Sequence, residues 1–143
     1  MFQDLSSIQQ FGTQIREGKL QIADAVEHYL NKVNERNTEL NIVVKGFDDE
    51  ARNRAEALDK ELRLGKDRGP MHGVPIAVKD IFAMTGCLPA AGSGAETRCG
   101  NKDAGVIEKL KTSGAIILGT LNLDQFAAGG TGVNLWFGRC KNP

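Results

Sequence analysis

Lys79 follows an unbroken apolar run, Val74-Pro-Ile-Ala-Val78, and directly precedes Asp80. A lysine can act as a base only when its amine is neutral, so the ordinary lysine pKa of about 10.4 has to be lowered. The rim of an apolar sheet lowers it by desolvation, which disfavours the ammonium. A carboxylate turned toward the amine works in the opposite direction, so a working site needs Asp80 to face other partners. Taken alone, Lys-Asp after a strand reads as a solvated turn.

Other chemistry-bearing residues are weaker. Gly129-Gly-Thr-Gly132 offers glycine-rich backbone for a phosphate but lacks the Lys-Ser/Thr ending of a P-loop. Gly92-Ser-Gly94 does not satisfy the Gly-x-Ser-x-Gly nucleophile elbow. His72 sits in a Gly/Pro-rich turn with no evident carboxylate to orient it as a base. Cys87, Cys99 and Cys140 form no Cys-x-x-Cys pair and are remote in sequence from His28 and His72, so zinc and a disulfide scaffold are both disfavoured. Plain reduced thiols are expected.

The elements that must position Lys79 are readable from periodicity. Ser6 or Ser7 caps a helix bearing Ile8, Phe11 and Ile15, and Gly18 stops it. A second helix carries Ile22, Ala25, Val26, Tyr29, Leu30 and Val33 on one stripe, though Gln21 is a poor cap. Asn41–Lys45 reads as a short strand, and Asp48 or Asp49 opens a third helix through Leu64 that Gly65 ends. Val74–Val78 reads as a strand buried on both faces, with Pro75 tolerable near its start. The loop Gly86–Lys102 leads to a capped helix, Asp103–Thr112. Gly114 closes that helix, and the strand Ala115–Leu118 follows. Strand, helix, strand at this spacing is a βαβ unit and indicates an α/β sheet. Asn122–Ala128 reads as a short helix and Gly129–Gly132 as a loop.

The 143 residues are enough to bury a core, and 41% hydrophobic with 25% charged residues is ordinary for a globular protein. Eighteen basic and eighteen acidic side chains cancel, so no net field favours nucleic acid or a membrane surface. The run Ala115–Leu118 is too short to span a bilayer. Met1–Gln10 has neither the basic start nor the apolar stretch of a signal peptide, and a cytoplasmic location is expected.

The run Gly69-Pro-Met-His-Gly-Val-Pro-Ile-Ala-Val-Lys-Asp80 resembles the opening motif of the amidase signature family. The resemblance continues through Asp103-Ala104, Gly114-Ala-Ile-Ile-Leu-Gly119, Asn122-Leu-Asp-Gln-Phe-Ala127, Phe137-Gly138 and Asn142-Pro143. Upstream it includes Gly18-Lys-Leu20 and Asn37-x-x-Leu40-Asn41. Departures include Thr120-Leu121 where Lys-Thr is frequent, Gln125 for Glu, and Arg139-Cys140 for Pro-Thr or Pro-Val.

The resemblance implies an α/β fold, with N-terminal helices followed by part of the mixed β-sheet of an amidase-signature domain. Residues 1–143 would then be the N-terminal part of one such domain, mainly helical over 1–65, with the signature core beginning at 66–143. It also implies hydrolysis of a carbon–nitrogen amide bond by a serine, a second serine on a cis peptide, and a lysine matching Lys79. Ala127, in a loop that approaches the substrate pocket of relatives, is the implied substrate-binding position. Neither serine is expected among these residues, since the resemblance puts both in or beyond a Gly-Gly-Ser-Ser-Gly-Gly-Ser motif well after the Asn-Pro pair, and Ser93 and Ser113 match neither role. The chain is thus expected to be a truncated portion. No cofactor or metal is implied. The implied partner is a small amide substrate, with no direct nucleic-acid or membrane partner and a homodimer as an allowed assembly. One alternative is the amidase subunit of glutamyl-tRNA amidotransferase. Another is a non-catalytic binding or assembly protein derived from the same fold.

Overall fold

A computed structural model describes residues 7–87, 89–95 and 100–142. Ser6, Cys99 and Pro143, each singled out above, lie outside the described residues. The order is α1 (Ile8–Arg16), α2 (Ile22–Leu40), β1 (Val43–Gly46), α3 (Asp48–Arg63), β2 (Pro75–Lys79), α4 (Gly105–Thr112), β3 (Ile116–Leu121), a single 3-10 turn (Gln125–Ala127), β4 (Val133–Asn134) and β5 (Gly138–Arg139). The main sheet has the order β1-β3-β2, and β4 pairs with β5 in a separate hairpin. β1 is antiparallel to β3, with Lys45 opposite Thr120 and Gly46 opposite Gly119. Along β2 and β3 the numbering rises together: the Ile116 amide donates to Val74 O (2.9 Å) and the Asp80 amide to Leu121 O (3.2 Å). That is the parallel pairing a strand–helix–strand connection requires. The chain is therefore mixed α/β, with helices leading into a mixed sheet.

Contacts divide the chain into two compact units that are not consecutive in sequence. One comprises the described parts of Met1–Lys32 with Phe47–Ile76 and Lys109–Leu118. The second comprises Val33–Gly46, Ala77–Glu108 and Gly119–Pro143.

The first unit is organised by apolar stripes. Ser7 Oγ accepts from the Gln10 amide (3.1 Å) and so caps α1, which buries Phe11 and Ile15. α2 contributes Ile22, Ala25, Val26 and Leu30, and α3 contributes Ala51, Ala55 and Leu58. Val74, Ile116 and Leu118 complete this cluster. Each fully buried Leu or Ile contributes roughly 1.5–3 kcal/mol. The weak Gln21 cap is resolved from elsewhere in the chain. Asp59 of α3 accepts the amides of Ile22 and Ala23, both at 2.9 Å, at the start of α2. Gly73 must be glycine, because it has φ +76° and a Cβ there would lie 2.6 Å from Ile22.

The loop before β2 is held firmly. Arg68 grips Glu61 through two bonds of 2.6 Å and donates to Thr112 O (3.0 Å). Arg16 grips Asp67 at 2.7 and 2.9 Å. His72 is buried, and its Nδ1 accepts the Arg68 amide (3.1 Å). The proton therefore sits on Nε2, which donates to Leu58 O (3.1 Å). Both ring nitrogens are occupied by backbone, so His72 is a structural residue and not a base.

In the second unit, side chains bond to irregular backbone. Asn37 Oδ1 accepts the amides of Ile42 (2.8 Å) and Val43 (2.7 Å), and its Nδ2 donates to Val43 O (2.8 Å). This turns the chain from α2 into β1 through Asn41, whose φ is 53°. Asn134 is buried and holds four backbone groups: Gly92 O, Leu123 O, and the amides of Trp136 and Phe137.

Three expectations need correction. β2 is not buried on both faces: Val74 and Val78 are buried, but Ala77 is exposed and Pro75 and Ile76 are half-buried. It is the last strand in the sheet order, whereas central β3 has the continuous burial expected of an apolar run. The segment Asn122–Ala128 forms only one 3-10 turn, because Phe126 and Ala127 take left-handed backbone. Asp103 also precedes the start of α4 by two residues and accepts the Thr85 amide (2.7 Å).

Candidate active site

Lys79 is the last residue of β2, and strand alternation separates it from its neighbours: Val78 and Asp80 are buried while Lys79 is exposed. Lys79 therefore stands open to solvent at the end of the strand and not in a dry rim. Among the described residues its ammonium has no hydrogen-bond or ion-pair partner. Its carbonyl accepts the amides of Ile81 (2.7 Å) and Phe82 (3.3 Å), which ends the strand in a tight turn.

Asp80 does what the chemistry asked of it. It is only 3% exposed, and Oδ2 accepts the Ala90 amide at 3.2 Å. Burial pushes its carboxyl above the ordinary aspartate range, opposed by the amides of Ala90, Gly92 and Ala91 and by the charge of Lys45. The carboxylate is thus directed into the Ala90–Gly92 backbone.

Asp80 also connects the turn to the other predicted position. Its carbonyl accepts the Ala91 amide (3.0 Å), and Ala91 O accepts the Phe126 amide (2.7 Å), one residue before Ala127. Ala91, Phe126 and Ala127 have φ of 49°, 55° and 56°. Left-handed backbone in residues with a Cβ costs of order 1–3 kcal/mol each and concentrates where function fixes the chain. Lys79 and Ala127 are thus linked through Asp80, Ala91 and Phe126 within one unit. Ala127 is exposed, and its amide donates to Asp124 O (2.8 Å). Ala91 has no signal in the sequence for its place in this frame, whereas Asp80 was marked by the need to face away from the Lys79 amine.

The remaining candidates resolve differently. The amides of Thr131 (3.1 Å) and Gly132 (3.2 Å) donate to Asp124 Oδ2, and Thr131 Oγ1 donates to Asp124 Oδ1 (2.6 Å). These bonds, the Thr131 side chain first, hold the Asp124 carboxyl below the ordinary range. A carboxylate of the protein already occupies the place a phosphate would take. Ser93 Oγ donates to Ala90 O (2.5 Å) and Ser113 Oγ to Leu110 O (2.9 Å), so both hydroxyls serve the backbone. Among the described residues, Cys87 and Cys140 are in no disulfide. Nor are any three described His, Cys, Asp or Glu grouped to hold a metal, and no described helix is long and apolar enough to cross a membrane. A groove of about 620 Å³ in the first unit is lined by Gln21, Ala23, Asn53, Glu56, Asp59 and Lys60 among others. It includes neither predicted site residue, and Asp59 already takes the helix amides there.

The family model described as Amidase matches residues 24–143. A glutamyl-tRNA(Gln) amidotransferase subunit from Methylobacillus flagellatus is 33% identical over 138 residues, covering 96% of this chain and 28% of that protein. The corresponding subunit from Aromatoleum aromaticum is 34% identical over 87% of this chain and 26% of its own length. The chain therefore spans little more than a quarter of the curated relatives it matches. Among solved structures, the native peptide amidase of Stenotrophomonas maltophilia superposes with a TM-score of 0.87 at 26% identity, covering 96% of this chain and 30% of that one. A protein of a vestigial complex connected with the evolutionary origins of an s-triazine catabolic enzyme gives 0.90 at 29% identity, covering 96% and 30%. With the Lys79 motif inside the matched region, the chain belongs to the amidase family, that of the amidase-signature enzymes.

Proposed function

We propose that this chain supplies the lysine of a Ser–cis-Ser–Lys site that hydrolyses a carbon–nitrogen amide bond, and that it forms the opening portion of one amidase-signature domain. The observation that carries the reading is the turn after β2. There Asp80 is buried against the Ala90–Gly92 amides, so its carboxylate is spent away from the Lys79 amine. In the reaction a neutral Lys79 takes a proton from the bridging serine, which deprotonates the nucleophilic serine as it attacks the amide carbonyl. The carbonyl becomes a tetrahedral oxyanion held by backbone amides, and the departing amine takes up a proton. Ala127, on its strained turn, borders the substrate. Covering Lys79 by further protein supplies the desolvation that the described residues leave out. A small carboxamide is the substrate class, with the cytoplasm as the compartment.

The test has two parts. The 143 residues contain neither matching serine, so the chain is expected to show no turnover of simple carboxamides. Turnover lost on Lys79→Ala would overturn the requirement for the serines. The nucleotide sequence 3′ of the Pro143 codon is expected to encode Gly-Gly-Ser-Ser-Gly-Gly-Ser. In a protein that includes that segment, Lys79→Ala is expected to lower kcat by roughly 10²–10⁴.

A second reading is favoured by the 33–34% identity to glutamyl-tRNA(Gln) amidotransferase subunits: the site would release ammonia from glutamine within a multi-protein complex. Gly129-Gly-Thr-Gly-Val-Asn134 looks closer to a stand-alone amidase than to the serine-rich loop usual in those subunits. Ammonia release from glutamine, compared with release from simple carboxamides, separates the two.

A further inference from the structure

Two side chains of the second unit meet outside the turn that carries Lys79. Lys45 of β1 donates from Nζ to Cys87 Sγ at 3.3 Å. Cys87 is 4% exposed. Directly across the antiparallel pair from Lys45 stands Thr120 of β3, which is 1% exposed. Residues opposite one another in such a pair project from the same face. Thr120 Oγ1 is the buried side-chain oxygen that has no hydrogen-bond partner among the described residues. Buried hydroxyls are normally satisfied, so an orphan on the strand face shared with Lys45 marks a place for a small polar molecule. The charge of Lys45 also acts on the buried Asp80 carboxylate, which makes this a small polar island.

We propose that Lys45 and Cys87 form a modification site at which hydrogen peroxide drives a covalent sulfur–nitrogen link, with Thr120 holding the peroxide by a hydrogen bond. In the first step the Cys87 sulfur gives an electron pair to one peroxide oxygen. A sulfur–oxygen bond forms and the oxygen–oxygen bond breaks. The departing hydroxide takes the thiol proton and leaves as water, so the sulfur is oxidised to a sulfenic acid and the peroxide is reduced. Lys45, having given its ammonium proton to solvent, then attacks that sulfur. The sulfur–nitrogen bond forms, the sulfur–oxygen bond breaks, and the hydroxyl leaves with an amine proton as a second water. The net change in the chain is the loss of two hydrogens. The Lys45 side chain already lies against the sulfur, so capture requires no rearrangement of strands.

The experiment uses the folded chain carrying Cys99→Ser and Cys140→Ser, in which no disulfide can form within the molecule. After treatment with hydrogen peroxide, intact-mass measurement is expected to show the loss of two hydrogens. Peptide mapping is expected to show one fragment joining residues 45 and 87, released by dithiothreitol. Adding Lys45→Gln is expected to remove the link and leave Cys87 as a sulfenic acid that dimedone traps. Adding Thr120→Val is expected to slow Cys87 oxidation on the order of tenfold, the effect of one hydrogen bond. The proposal is overturned if folded Cys87 reacts no faster than in urea. It is equally overturned if Cys87 oxidises to sulfinic acid while Lys45 stays unmodified.

Discussion

In the first unit α1, α2, α3 and the adjoining strand residues pool their apolar stripes into one cluster, and Arg–carboxylate pairs pin the connecting loop outside it. In the second unit the interior includes Asp80, Thr120 and Asn134, and order comes largely from side chains bonded to backbone. The described non-glycine residues with left-handed backbone, Asn41, Ala91, Phe126 and Ala127, all belong to it. So do the exposed apolar side chains Ile81, Val106, Phe126, Val133, Leu135 and Trp136, against Ile8 and Leu64 in the first unit. Regular helices that bury a continuous stripe can be stable without being special at any one residue. Irregular backbone depends on single polar anchors, and both predicted site residues lie where those anchors are concentrated.

The largest test of this contrast is Leu58→Ala, which removes a fully buried side chain of the first unit. It is expected to cost about 2–5 kcal/mol in urea unfolding. A loss below about 1 kcal/mol would mean that the apolar cluster is not what holds this unit. Next, Asn134→Ala should cost about 1–3 kcal/mol by leaving buried backbone groups unpaired. Hydrogen exchange should quicken at the Trp136 and Phe137 amides, with the α3 amides unchanged; a uniform increase would break the distinction.

Acid separates Glu61 of the first unit from Asp80 of the second by sign. Arg68, chiefly through its hydrogen bonds, holds the Glu61 carboxyl down from an ordinary 4.5 to about 2. Its folded value lies below its unfolded one, so its contribution is present above about pH 4.5 and is lost as pH falls toward 2. Asp80 is raised by burial above its ordinary 3.8, so the folded state takes up that proton first and gains stability as pH falls through the same acid range. Urea midpoints measured against pH should therefore fall less steeply in Glu61→Gln and more steeply in Asp80→Asn. The smallest effect is expected for Ala127→Gly, which relieves left-handed strain of about 1–2 kcal/mol but adds unfolded-chain entropy of about 0.5–1. A net gain of roughly half a kcal/mol in thermal or urea unfolding is the outcome that supports strain at this position.

The parts legible in the sequence are those whose signal is local and periodic. The stripes of α1, α2 and α3, the stop at Gly65 and the strand–helix–strand succession around α4 all follow from spacing. The role proposed for Lys79 rests on its neighbours, because a lysine after a strand has no signal of its own. What stayed hidden depends on distant partners. The turn through Phe126 and Ala127 forms where Asp124 reaches forward to Thr131 and Gly132, a demand that no helical propensity expresses. β4 and β5 have two residues each, too few for alternation to register. The Asn37-x-x-Leu40-Asn41 motif was recognisable as a pattern. That its asparagines bend the chain into β1 and hold Phe137 O is visible only in three dimensions.

The carboxylate that closes the start of α2 lies 37 positions farther along the chain. During synthesis, the first turn of α2 therefore emerges before the residue that will complete it exists. Until Asp59 arrives, Ile22 and Ala23 must offer their amides to water, and the helix can begin only from its middle. Formation of α2 and arrival of α3 then become a single event. A ribosome stalled anywhere between the two helices would carry a nascent chain whose second helix is frayed at its leading end.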